Sequence, residues 1–154
     1  MAEVKPDRAT HQIVVHDFDQ ALAALRAADA AECKLTILSA PMAVRSAGAG
    51  WWRELVAQLT AEMPHQDADW ILDCGDEPGM ALAALREGIG SIALDADEPV
   101  WSRVAEIAAQ AGARLVRIDR EGALDLAGTN NPQRTCELYL SRDPRGVAKT
   151  GALG

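Results

Sequence analysis

Aspartates and small polar residues gather in this sequence where short apolar runs end. Ile13-Val14-Val15 runs into His16 and Asp17, with Asp19 just beyond; Leu35–Leu38 ends at Ser39; Trp70–Asp73 is followed by Cys74, Gly75 and Asp76. Ser91–Leu94 is followed by Asp95 and Asp97, and Arg114–Ile118 by Asp119. If these runs are parallel strands, ligands bind beyond their carboxyl ends. His16, Asp17, Ser39, Asp73, Cys74, Asp76 and Asp95 then become the candidate ligand-binding residues. A rim of carboxylates can hold a divalent cation through oxygen ligands, or attract a cationic ligand. A purely local reading competes with this: Asp17, Asp76 and Asp97 each precede an apolar helical stripe, where aspartate caps backbone N–H groups.

The other reactive side chains give incomplete signals. Cys74 stands before a glycine and a helix start, where the helix dipole favours a thiolate, but Asp73 and Asp76 oppose it. His16 beside Asp17 has the chemistry of a general base and equally of a hydrogen-bonded bystander. Gly48-Ala49-Gly50 precedes a helix, yet it is too short for a dinucleotide fingerprint and has no Walker lysine. Cys33, Cys74 and Cys136 form no C-x-x-C pair, and His11, His16 and His65 form no i, i+4 pair, so no metal site is expected from them.

The elements that would position these residues are legible from periodicity. Phe18, Ala21, Leu22, Leu25 and Ala28 recur at helical spacing behind Asp17. Trp52, Leu55, Val56, Leu59 and Met63 mark a second helix ending before Pro64, and Asp76-Glu77-Pro78 opens a third, with aspartate as the expected cap. Trp101, Val104, Ala105 and Ala108 give the next stripe. Asn131-Pro132 opens a helix through Ser141, although Cys136, Leu138 and Leu140 also alternate as a strand would. Ala40–Gly50 is long for a connection inside an α/β domain, and Met42–Ser46 could supply one helical turn within it. The string ALAALR occurs at Ala21–Arg26 and again at Ala81–Arg86, an echo that alanine/leucine helices produce by convergence as readily as by duplication. The expected architecture is α/β: a parallel sheet of about five strands alternating with helices in a three-layer sandwich. Half of a strand–helix barrel is the alternative. Residues 1–10 are expected as a flexible lead-in, 11–141 as a single domain and 142–154 as a flexible tail.

Composition excludes several partners. The net charge of -8 over 154 residues disfavours nucleic acid, which needs clustered Lys and Arg. No apolar run approaches the roughly 20 residues of a spanning helix, so no membrane partner is expected. The N-terminal MAEVKPDRAT lacks the apolar core of a signal peptide, and a cytoplasmic location follows as the expectation. Trp51 must point about 100° away from Trp52 on its helix; if exposed beside Ala40–Ala49 it forms a contact patch, and a homo-oligomer is expected on that ground.

A partial resemblance adds an enzymatic alternative. Ile13-Val14-Val15-His16-Asp17-Phe18-Asp19 resembles the first motif of haloacid dehalogenase-like phosphatases, apolar residues followed by Asp-x-Asp. Thr36-Ile37-Leu38-Ser39 is similar to their second motif, and Gly75-Asp76 with Ala84 and Gly88 to their fourth. The resemblance implies Asp17 as nucleophile, Asp19 as acid/base, Ser39 as a phosphate ligand and Asp76 as a magnesium ligand. The sequence departs from the pattern in four ways. Gln20 and Ala21 replace Gly-Thr, the helix begins almost at Asp17 and leaves no room for a flap, Met80 replaces the second acidic residue, and no lysine lies between Ser39 and Asp76. Arg45 or Arg53 would have to substitute for that lysine, and otherwise magnesium would have to offset nearly all the charge of a phosphate. The reading from sequence is therefore a soluble α/β module binding a small ligand or a partner protein at the carboxyl ends of its strands. A magnesium-dependent phosphohydrolase with a degenerate haloacid dehalogenase-like site is the alternative.

Overall fold

The structure, a computed structural model, describes residues 11–142. The lead-in at 1–10 and the tail from 143 onward lie outside the described residues. Six strands form one open, all-parallel sheet: β1 (His11–Val15), β2 (Leu35–Ser39), β3 (Ala68–Asp73), β4 (Ser91–Ala93), β5 (Arg114–Val116) and β6 (Leu124–Asp125), in the order β5-β4-β3-β2-β1-β6. Six helices intervene: α1 (Phe18–Ala31), α2 (Ala43–Ser46), α3 (Ala49–Glu62), α4 (Pro78–Arg86), α5 (Val100–Gln110) and α6 (Pro132–Leu140). The α/β class with parallel strands is as expected, and the sheet does not close into a barrel. β6 is an addition to the expected strands, and Pro132–Leu140 is a helix, not a strand.

The inner strands are buried on both faces, so they read as continuous apolar runs instead of alternating ones. Their side chains nevertheless divide by parity. Ile13, Val15, Leu35, Ile37, Leu72, Ile92 and Leu115 share a cluster with buried residues of all six helices. Val14, Leu38, Ile71, Ala93 and Val116 form a second, smaller cluster on the other face. The helices therefore make one layer and the sheet a second. Right-handed crossovers between strands laid down in chain order place successive helices on the same face.

The third layer is thin. β5 and β6 lie at opposite edges, five strand spacings apart or about 24 Å. Eight residue steps from Val116 to Leu124 reach at most about 29 Å, so the return segment 117–123 crosses the sheet with little slack. Ile118 and Ala123 from it pack on the second cluster. The segment is fastened from both sides: Gln12 Nε2 donates to the Asp119 carbonyl at 3.1 Å, and the Tyr139 hydroxyl donates to the Gly122 carbonyl at 2.8 Å.

Local chemistry sets the helix ends. Asp17 is extended and accepts from the Gln20 amide at 2.8 Å, the cap expected of it. Asn131 caps α6 the same way, accepting from the Arg134 amide at 3.1 Å. The cap of α4 is displaced by one residue from the expected Asp76: Glu77 holds that position without a side-chain cap bond, and Pro78 follows in the first turn. α1 buries Ala21, Ala24, Leu25, Ala27 and Ala28; the small residues let α6 pack closely, with Cys136 and Leu140 buried between the two. Burying one leucine such as Leu25 contributes roughly 1.5–3 kcal/mol.

Candidate functional site

The carboxyl ends of the strands do not form a single acidic rim. They divide into two groups, and three aspartates go to the larger. Asp73 closes β3, Asp76 lies in the turn that leads to α4, and Asp95 follows β4; all three line one cleft of about 670 Å³. Arg117 and Arg120, from the return segment, line the same cleft with Met42, Gly75, Leu94 and Ile118. The site is thus mixed in charge, with three carboxylates and two guanidinium groups. The absence of nearby positive charge expected from sequence is corrected by these two arginines. The strand-end rule that picked out the aspartates also picks out Arg117, one residue past β5. Arg120 arrives only through the non-local path of the return segment.

Each charged group has a definite holder. Arg120 Nη2 donates to Asp73 Oδ2 at 2.6 Å and to the Ser39 carbonyl at 3.3 Å. Asp73 Oδ1 accepts from the Gly75 amide at 2.7 Å, so this carboxylate is committed on both oxygens. Arg117 lies 4.0 Å from the ring centre of Trp101, a cation–π contact on a buried indole of α5. Its Nη2 donates to the Ala96 carbonyl at 2.9 Å, and its Nη1 is 3.9 Å from Asp95 Oδ1. The Asp95 side chain is 92% exposed and Asp76 is exposed as well, so these two carboxylates face solvent at the mouth of the cleft.

The floor requires glycine. Gly75 has φ +59°, and a Cβ there would overlap the Met42 sulfur. Met42 itself is left-handed at φ 58°, an unusual conformation for this residue type, at the start of α2. The long Ala40–Gly50 connection thus contributes one short helix and one wall of the cleft, and Arg45 in it pairs with Glu77.

The other candidates sit elsewhere. Ser39 is fully buried; its Oγ accepts from the Asp73 amide at 2.8 Å and donates to the Ala40 carbonyl at 3.2 Å, tying the ends of β2 and β3 together. Cys74 is also fully buried, with its side chain in the helical core. Burial, and secondarily the charge of Asp73, push its thiol up to about 12, so the helix-dipole route to a thiolate is overridden. His16 and Asp17 belong to the second group, at β1 and β6. His16 Nε2 is 2.6 Å from Asp125 Oδ1, which also accepts from the Ala127 amide at 2.9 Å. Asp125 was not singled out from sequence, because the two-residue strand that carries it gives no periodic signal.

The magnesium site implied by the phosphatase resemblance does not fit these residues. β2 separates β1 from β3, so Asp17 and Asp76 start from strand ends about 10 Å apart, and the Asp17 carboxylate is engaged as a cap. Among the described residues no group of three His, Cys, Asp or Glu side chains is arranged to hold a metal ion. No described helix is long and apolar enough to cross a membrane. Comparison with protein-family models and with curated proteins finds no match to this chain.

Proposed function

We propose that the chain is a binding module whose ligand is a small polar molecule carrying both an ammonium and an anionic group, held in the β3–β5 cleft. The observation that carries this reading is the sharing of one cleft by the outward carboxylates of Asp76 and Asp95 and the guanidinium of Arg117. Trp101 and the Ala96 carbonyl hold the Arg117 guanidinium at the cleft, and a guanidinium is suited to an incoming anion. A volume of about 670 Å³ suits a small ligand. The lining offers no hydroxyl, thiol or imidazole, so catalysis of the serine, cysteine or histidine kind has no side chain to carry it there. Arg117 and Arg120 are the one observation on the side of a phosphate ester, and the experiment therefore includes that class.

The test is calorimetry with 4-aminobutyrate, its amine analogue butylamine and its acid analogue butyrate. The zwitterion is expected to bind best, with Arg117→Ala and Asp95→Asn each weakening it. Equal binding of butylamine and 4-aminobutyrate, unaffected by Arg117→Ala, would sink the reading. Turnover of a phosphate ester with magnesium, lost in Asp17→Asn, would replace it with the phosphohydrolase alternative.

Self-association and a cytoplasmic location belong to the same proposal. Trp51 is half-buried against the core, 6.0 Å from Trp52, so the contact patch shifts from Trp51 to the exposed apolar residues Val100 and Ile107 on α5. Sedimentation showing only monomer at high concentration would count against the oligomer.

A further inference from the structure

A second cavity lies at the opposite end of the sheet, and nothing in the cleft proposal uses it. It has a volume of about 320 Å³ and sits where β3 and β4 begin, against α3. Strand alternation decides which side chains can enter it. Ala68, Trp70 and Leu72 turn toward the helical layer and pack in the large cluster, whereas Ile71 belongs to the cluster on the other face. The Asp69 carboxylate points the same way as Ile71, away from α3. The wall on the α3 side is therefore apolar. Trp70 is half-buried, and Trp52 of α3 is buried against it with ring centres 6.0 Å apart and planes at 73°. Val56 from α3 and Ile89 from the α4–β4 connection add aliphatic surface.

The ionic groups on this side answer one another. Arg53 lines the cavity, but its Nη1 donates to Glu87 Oε2 at 2.8 Å and to the Glu87 carbonyl at 3.3 Å, and its Nη2 is 3.6 Å from Glu54. A charged ligand would have to displace one of these partners and shed its own hydration as well. A neutral ring meets neither cost. Gly88 and Gly90 line the rim, and a Cβ at either would meet nothing within 4 Å, so the approach there is open.

We propose that this cavity is a ligand site for a small uncharged aromatic molecule, its ring packed on Trp70. The volume lies at the lower end of the roughly 300–1,000 Å³ of small-ligand pockets, which suits one or two rings. Trp52, at 1% exposure, backs Trp70 edge-to-face and holds it in place, so the wall is ordered before a ligand arrives. The half-buried indole then offers the surface, and aromatic rings pack on an indole by stacking or edge-on. An aliphatic ligand of the same size would gain burial without that interaction. An amine or an acid would find its counter-charge already committed to the Arg53–Glu87 pair.

The test uses the intact chain with phenethyl alcohol, phenethylamine, phenylacetate and cyclohexylethanol, read by tryptophan emission and by calorimetry. Phenethyl alcohol is expected to give a saturable emission change. The amine and the acid should bind at least about tenfold more weakly. Cyclohexylethanol, which lacks the π system, should be weaker by up to about tenfold, the worth of one aromatic pair. Trp70→Leu should erase the preference for the aromatic alcohol over the cyclohexyl one, and Trp70→Phe should keep it. Val56→Phe and Gly90→Leu, which narrow the cavity from α3 and from the start of β4, should each abolish binding, with far-UV circular dichroism confirming the fold. Phenethylamine or phenylacetate binding as tightly as the alcohol would overturn the uncharged class. An aromatic preference that survives in Trp70→Leu, or binding undiminished in both narrowing variants, would overturn the location. No saturable signal from any of the four would overturn the site itself. Because Trp70, Val56 and Gly90 do not line the β3–β5 cleft, failure here leaves the 4-aminobutyrate experiment standing, and the reverse holds equally.

Discussion

Arg120 and Asp73, 47 positions apart in the chain, meet at 2.6 Å between Nη2 and Oδ2. The contact fixes the return segment to the end of β3 and sets one wall of the cleft. Its Asp73 side is mostly withdrawn from water, at 15% exposure, while the arginine keeps 30%. Replacing Arg120 with alanine leaves a half-buried carboxylate without its charged partner. We expect Arg120→Ala to lower unfolding free energy by about 2 kcal/mol, measured by urea denaturation. Arg120→Lys should recover only part of it, because both bonds come from the terminal Nη2, which the shorter lysine does not reach in the same geometry, and an ammonium is more strongly hydrated than a guanidinium. Wild-type stability in Arg120→Ala would show the contact to be incidental.

The Asp125 carboxyl predicts an acid-side dependence. Partial burial alone would raise its affinity for protons, but the Ala127 amide and the His16 contact, with the charges of His16 and Arg120, outweigh that and hold it below its ordinary value of 3.8. A carboxyl depressed in the folded state contributes stability above its unfolded value, and that contribution is lost as pH falls through the folded value. Stability is therefore expected to drop below about pH 4 with a share that Asp125→Asn removes. Parallel pH profiles for wild type and variant below that point would contradict the assignment.

Thiol reactivity should separate the three cysteines. Burial pushes both Cys74 and Cys136 up to about 12, aided by the charges of Asp73 and Glu137 respectively. Thiolate is the reactive form, and a pKa near that value leaves on the order of one part in ten thousand ionised at pH 8. Cys33 is only half-buried. Ellman's reagent at pH 8 should modify one thiol per native chain, with two more reacting only after unfolding. Rapid labelling of Cys74 in the native protein, located by peptide mapping, would show that its place in the helical core opens readily.

The sequence carried the architecture further than the site. Strand and helix positions followed from apolar runs and caps because those signals are local: Asp17 and Asn131 each satisfy an amide three residues away. β6 has only Leu124 and Asp125, and its identity as a strand comes from pairing with Ile13 and Val14, more than a hundred positions earlier. The same distance hid the arginines. Arg117 reads from sequence as one of the alternating basic residues of an edge strand, and only the folded path turns it toward Asp95 and over Trp101. Strand ends collected the aspartates correctly, but parallel order then set β2 between Asp17 and Asp76 and split the rim.

Tyr139 links that return path to the helical layer, and its hydroxyl gives a prediction that reaches from stability to binding. The Gln12 amide donates to the hydroxyl at 3.1 Å, and the hydroxyl donates to the Gly122 carbonyl at 2.8 Å. His11 packs edge-on against the ring at 5.2 Å between centroids. Burial raises the phenol above its ordinary value, with the Gln12 amide pulling the other way, so the group stays a neutral donor through the physiological range. Tyr139→Phe keeps the ring and removes both hydrogen bonds, at an expected cost of about 1–2 kcal/mol. The looser end would be β6 and the segment before it, which carry few apolar contacts of their own. Amide exchange should therefore accelerate at Leu126, whose N–H donates to the Val14 carbonyl at 3.1 Å, while α3 and α4 keep wild-type protection. Since Arg117 and Arg120 ride on the same segment, 4-aminobutyrate binding in the cleft should weaken in Tyr139→Phe although the tyrosine does not line it. Loss of stability spread evenly over all helices, with binding unchanged, would mean that the hydroxyl supports the fold as a whole and does not position the arginines.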